Sequence, residues 1–185
     1  MGTRSRIGVM HGDIVKSVYC HWDGYLSHNG AILQEHYDSA KANQLVALGD
    51  ISSLGKNIGE KHAFHPLDLS PEDRKQHELD HGDSTTFYGR DREEVNVSWR
   101  VSHTFADFLS LVEDCGAEYY YIMKDGEWYC GSPYKGSRLV ALSEALAKDD
   151  VTDSEIQADL NETLGLDRGT PLEDLVSRIA ELDGV

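Results

Sequence analysis

The segment His77-Glu78-Leu79-Asp80-His81 spells H-E-x-x-H. On a helix, residues four apart lie one above the other, so two imidazoles would share a face where a zinc ion can sit. Glu78 would then act as general base towards a metal-bound water. Ser70-Pro71-Glu72-Asp73 has the residue types of a helix start, so a helix is expected here. The setting argues the other way. From Pro71 to Gly82 only Leu79 is apolar, whereas a catalytic zinc helix needs a buried, braced cleft. Ser84 and Phe87 stand where the extended metzincin pattern needs Gly and His, which leaves Glu93 or Glu94 as a distant third ligand. The segment therefore reads first as a solvated polar helix. A zinc-dependent hydrolase on His77, Glu78 and His81 is the alternative, and no other cofactor is expected.

A second concentration of chemistry is Tyr19-Cys20-His21-Trp22-Asp23-Gly24-Tyr25, which holds a thiol, an imidazole, a carboxylate and three aromatic rings. Adjacent strand residues point to opposite faces, so Cys20 and His21 cannot form a thiolate–imidazole pair with each other. A partner for Cys20 would come from His11, His36 or His103, and spacing selects none of them. A small buried apolar residue is the plainer reading of Cys20. Arg4, Arg6, His21, Trp22, Asp23 and Tyr25 are the candidate ligand-binding residues, because aromatic faces beside guanidinium groups stack bases and nucleotides. The competing explanation is that sheets favour aromatic residues for packing. Neither a P-loop nor a dinucleotide-binding glycine loop is present in the sequence.

Charge narrows the field further. The chain has 185 residues, with 33 acidic against 17 basic and a net charge of −16. Such a chain repels a phosphate backbone, and Arg4 with Arg6, or Arg90 with Arg92, are small groups to set against it. Direct nucleic-acid binding is therefore disfavoured; the functional reading of the acidity is a basic protein partner or a surface that imitates nucleic acid. Plain solubility is the commoner reason for an acidic surface. No apolar run is long enough to span a bilayer, and no hydrophobic stretch follows the first residues, so a cytoplasmic protein is expected. Cys20, Cys115 and Cys130 are too few and scattered for a disulfide framework. The oligomeric state is left open.

Several elements must position these groups. Two strands are expected from Arg4 to Trp22 around His11-Gly12-Asp13. A two-residue loop sets Val9 opposite Lys16, and a three-residue loop sets it opposite Val15, the better apolar pair. Short helices follow over residues 30–37 and from Asp38 or Ser39 to Gly49. A polar excursion runs over about 50–84, then short strands over 85–88 and 95–101. Thr104 with Asp107 has the form of a capping box for a helix carrying Phe105, Phe108, Leu109 and Val112, stopped by Gly116. Asp125-Gly126 is the strongest hairpin signal; a two-residue loop pairs Lys124 with Glu127, Met123 with Trp128 and Ile122 with Tyr129. Helical character resumes after Lys135.

These elements predict an α+β fold: an antiparallel sheet of about four to five strands built from two hairpins, with helices mostly on one face. The core domain spans 1–147. An acidic helical appendage follows over 148–185, with amphipathic segments around Ile156–Leu164 and Leu172–Ile179.

Four stretches carry a resemblance. Gly2-Thr3-Arg4-Ser5-Arg6-Ile7-Gly8-Val9, the Tyr19-Cys20-His21-Trp22-Asp23-Gly24-Tyr25 run, Phe87-Tyr88-Gly89-Arg90-Asp91 and Ala117-Glu118-Tyr119-Tyr120-Tyr121-Ile122 together resemble a family of small proteins encoded mainly by bacteriophages and by some bacterial genomes. The likeness covers about the first three quarters of the chain and leaves out the tail beyond Lys148. It implies a phage accessory protein working in a host bacterial cytoplasm, and it supplies no activity, cofactor or catalytic residue. The leading functional expectation is a non-enzymatic protein that binds a host or phage macromolecule through an acidic surface. A small-ligand or nucleotide module on the Arg and aromatic residues is the second.

Overall fold

A computed structural model describes residues 2–135 and 138–149. Contacts divide the chain into units Met1–Leu146 and Ala147–Val185, and the architecture below is that of the first. The two amphipathic segments expected beyond residue 150 lie outside the described residues.

The fold is α+β. Strands β1 (Ser5–His11) and β2 (Ile14–Cys20) form an antiparallel hairpin closed by Gly12-Asp13. Ser5 to Met10 are all buried: β6 (Tyr119–Lys124) pairs parallel with the second edge of β1, and separate core clusters cover its two faces. A strand buried on both faces need not alternate in polarity. The observed register therefore sets Val9 opposite Lys16, with Ile7 opposite Val18 and Met10 opposite Val15. The more apolar register is not the one adopted: Lys16 extends over the Trp99 ring instead, its Nζ 5.1 Å from the centroid. The second hairpin, β6 with β7 (Glu127–Gly131), has the pairing read from Asp125-Gly126: Lys124–Glu127, Met123–Trp128 and Ile122–Tyr129. Both turn residues have positive φ, 52° and 85°, as such a two-residue turn requires.

Four shorter strands complete the sheet. These are β3 (Ile51–Ser53), β4 (Thr86–Phe87), β5 (Arg100–Ser102) and β8 (Val140–Ala141). The order is β4-β3-β2-β1-β6-β7-β8, with β5 added on β2. Among the described residues the sheet is thus mixed and eight-stranded, not antiparallel with four or five strands: β1–β6 and β2–β3 are parallel. Strands of two or three residues carry no periodicity of their own, so the sequence shows the two hairpins and not the full sheet.

Helices lie on both faces. Helix α1 (Ala31–His36) is entered through a π-helical turn over Leu26–Gly30, and α2 (Ser39–Ala47) is capped by the Asp38 carboxylate. Leu33, Ala42, Leu45 and Val46 from these helices pack with Ile7, Val18, Ile51, Phe87 and Tyr121. On the opposite face, α5 (Phe105–Asp114) sets Phe108 and Val112 against Met10, Val15, Tyr120 and Ile122. The capping box of Thr104 and Asp107 is formed, and Gly116 ends the helix with φ 64°. Two further helices frame the polar excursion: α3 (Pro71–His81), capped by Ser70, and α4 (Tyr88–Arg92). A helical stretch also begins at Leu142, just past β8.

Candidate functional site

The H-E-x-x-H segment does form a helix, and its surroundings were not visible in the sequence. No residue of α3 is buried. His77 and His81 turn inward and meet a third imidazole, that of His62. The ring centroids are 5.5 Å apart for His62–His77, 5.1 Å for His62–His81 and 5.0 Å for His77–His81. His62 is 9% exposed. Its Nδ1 lies 2.8 Å from the Glu60 carbonyl and its Nε2 3.0 Å from the Thr86 hydroxyl. Burial pulls its pKa down, offset in part by the Glu60 carbonyl and the Asp91 charge. Both nitrogens of His77 are shielded from solvent and have no hydrogen-bond partner.

The segment carrying His62 is held by an ion pair. Arg90 Nε and Nη2 reach the two Asp91 oxygens at 2.8 and 2.9 Å. Arg90 also donates to the carbonyls of Ile58, Gly59 and Thr85. Asp91 accepts the backbone N–H groups of His62 and Phe87 at 3.2 and 2.7 Å. Burial alone would raise the Asp91 pKa, but the Arg90 hydrogen bonds, the two N–H donors and the Arg90 charge together hold it low. Glu78 is exposed, and its carboxylate folds back towards Gly82. Glu93, a third ligand considered from sequence, pairs instead with Lys61 at 2.6 Å. Among the described residues, no group of three or more His, Cys, Asp or Glu stands in ligating geometry for a metal.

The Tyr19–Tyr25 run is a knot in the chain. Asn29, fully buried in the π-helical turn, donates to the Ser5 hydroxyl at 3.2 Å, the Cys20 sulfur at 3.4 Å and the Trp22 carbonyl at 3.2 Å. Gly24 donates its N–H to the Thr3 carbonyl, and its own carbonyl accepts from the Tyr121 hydroxyl at 2.8 Å. A Cβ on Gly24 would lie within 2.8 Å of Arg4 and Ser5 backbone atoms, so only glycine fits there. Asp23 takes φ 55° at this turn. Cys20 is fully buried, and burial pushes its thiol up to about 11. At neutral pH it is a protonated packing residue, with none of the depressed pKa that activates a nucleophile.

Of the six candidate ligand residues, Arg4, His21 and Trp22 come together. His21 and Trp22 rings are 4.5 Å apart, and His21 Nδ1 lies 2.9 Å from the Tyr19 hydroxyl. Partial burial and the Arg4 charge both lower the His21 pKa. Arg4 is exposed, with its guanidinium by Gly116 at the end of α5, where carbonyl groups favour a cation. Arg6 turns inward: it is 4% exposed and donates through Nε to the Ser17 hydroxyl at 2.8 Å. Tyr25 pairs with His28 at 5.8 Å.

Two clefts have no signature in the sequence; the walls of the first come from segments far apart in the chain. One, of about 420 Å³, carries Glu35, Asp38 and Glu127 beside Trp128; the other, of about 400 Å³, carries Glu78, Asp80 and Asp83. Neither is lined by Lys or Arg. No helix among the described residues is long and apolar enough to cross a membrane. Comparison with family models, with curated proteins and with solved structures found no match.

Proposed function

We propose that this chain is a non-enzymatic accessory protein, of the phage type, that binds a basic protein partner in the host cytoplasm through acidic surface. The observation that carries the reading is the cleft of Glu35, Asp38 and Glu127, which no Lys or Arg lines; in the second cleft Asp83 is paired with Lys56 at 3.1 Å, which leaves Glu78 and Asp80. A cleft lined by one sign of charge concentrates ligands of the other. The sequence adds to it: residues 148–185 hold eleven acids against three bases, half of the net charge of −16. Three groups that could serve nucleophilic or acid–base chemistry, Cys20, Cys130 and Asp91, are tied up. The Cys20 and Cys130 thiols are buried with pKa values pushed up to about 11, and Asp91 is locked in its ion pair. The arginine–aromatic module has less support, since Arg6 is turned onto Ser17 and Tyr25 onto His28.

The test compares capture from host lysate by the full chain, by the chain ending at Ala147, and by Glu35→Gln/Asp38→Asn/Glu127→Gln. The expected result is a basic protein retained by the full chain, released by salt, and weakened by either change. A captured set that is identical for all three, or that consists of nucleic acid, would defeat the reading.

A further inference from the structure

We infer that His62, His77 and His81 form a binding site for one divalent transition-metal ion of the zinc class, whose role is to fasten α3 to the body of the domain. The inference does not depend on the acidic-surface reading above.

Helix α3 attaches through an unusual face. An amphipathic surface helix turns a stripe of apolar side chains inward, yet the residues α3 presents to the sheet side are His77 and His81, and Leu79 is 73% exposed. Imidazole packing against imidazole supplies little apolar burial to hold an eleven-residue helix in place. A metal ion supplies what is missing. Three imidazoles bound through nitrogens about 2.1 Å from one ion have ring centres about 5 Å apart. The three observed separations, 5.0, 5.1 and 5.5 Å, match that spacing all round the triangle.

The nitrogens point the same way. Buried polar atoms are normally bonded, and both nitrogens of His77 lack any partner although solvent does not reach them. His62 has its Nδ1 at 2.8 Å from the Glu60 carbonyl. Donation to a backbone carbonyl is the arrangement that leaves the other nitrogen of a metal-bound histidine free of its proton. That nitrogen, Nε2, now accepts from the Thr86 hydroxyl at 3.0 Å. As they stand the three side chains are not in ligating geometry, so binding requires His62 Nε2 to exchange the Thr86 hydroxyl for the ion and the imidazoles to turn towards it. The neighbouring Arg90 guanidinium is neutralised by Asp91, so the site does not face a lone cation. Softness decides the ion class: neutral imidazoles select zinc, cobalt, nickel or copper over magnesium and calcium. Glu78 is turned to Gly82, away from the imidazoles, so the geometry assigns the ion a structural and not a hydrolytic role.

The experiment is a titration of the metal-free full chain with Zn²⁺ by calorimetry, and with Co²⁺ by visible absorption. Expected are one equivalent bound, a raised melting temperature, and a Co²⁺ spectrum without thiolate charge-transfer bands. His62→Ala and His77→Ala should each lose the saturable binding while keeping the far-ultraviolet circular dichroism of the sheet. Glu78→Ala and Thr86→Ala should both retain it. Binding that survives His62→Ala, binding that needs a cysteine, or no stoichiometric binding by the wild-type chain would overturn the inference.

Discussion

The Asp50 carboxylate accepts the backbone N–H of Tyr19 at 2.8 Å, in the gap where β2 changes partners. Val15 to Ser17 pair with β5, and Cys20 pairs with β3, so Tyr19, paired with Arg6 on one edge, would otherwise meet no strand on the other. Asp50 thus stands in for a ladder residue. Burial raises its pKa, against the opposing influence of the Tyr19 N–H and of Arg6 and Arg100. A carboxyl group whose pKa is higher in the fold than in the unfolded chain stabilises most when protonated. Its contribution is full below the ordinary carboxylate range and is lost as pH rises through the folded value. Asp50→Asn keeps the acceptor and removes the titration, and should be at least as stable as wild type at neutral pH. Asp50→Ala leaves a buried N–H unpaired and should lose about 1–3 kcal/mol. Urea unfolding at about pH 4 and about pH 7 checks both; a variant Asn protein that loses more stability than Ala would contradict the substitution argument.

How much of this was legible in the sequence depended on whether the cause was local. The Lys124–Glu127 hairpin was readable because turn chemistry and cross-strand pairs agreed over a few residues. The Thr104–Asp107 capping box was readable for the same reason. The first hairpin has the register of its two-residue Gly12-Asp13 turn, and the reason an apolar partner for Val9 is not needed is non-local: β1 is packed on both faces. The site follows the same division. His77 and His81 announce themselves by helical spacing, whereas His62 lies in the polar excursion with no motif around it. Only the fold brings it to them.

The Cys20 thiol, held by Asn29, lies at the centre of the run that most resembled an active site. Cys20 and Cys130 are both buried, with pKa values pushed up to about 11, whereas Cys115 is half-buried. A thiol reagent at neutral pH should therefore modify Cys115 first and leave the other two until denaturant is added. Mass spectrometry of a labelling time course measures this. Rapid modification of Cys20 in the folded chain would revive it as a nucleophile.

Arg90 and Asp91 should behave as a unit. Removing Arg90 alone leaves Asp91 charged and buried, and strips a donor from the carbonyls of Ile58, Gly59 and Thr85. Arg90→Met should cost about 3–5 kcal/mol, the range for breaking one partner from a buried pair. Arg90→Met with Asp91→Leu should cost less than the two single changes added together. Denaturant unfolding of the four proteins closes the cycle, and strict additivity would mean that the pair is not coupled.

Tyr120 offers a substitution expected to stabilise at any pH. Its ring packs edge-on against Phe105 and Phe108 between α5 and the sheet, at centroid distances of 6.1 and 5.7 Å. Its hydroxyl is buried without a hydrogen-bond partner, and burial pushes its pKa up to about 12. A buried hydroxyl that has given up water and gained no partner costs about 1–3 kcal/mol. Phenylalanine keeps the ring contacts and removes that cost. Tyr120→Phe should therefore raise the melting temperature, with stability increased by about 1 kcal/mol after allowing for the small gap left near Gly131. A lowered melting temperature would show that the hydroxyl is bonded in solution, through a water held at that position.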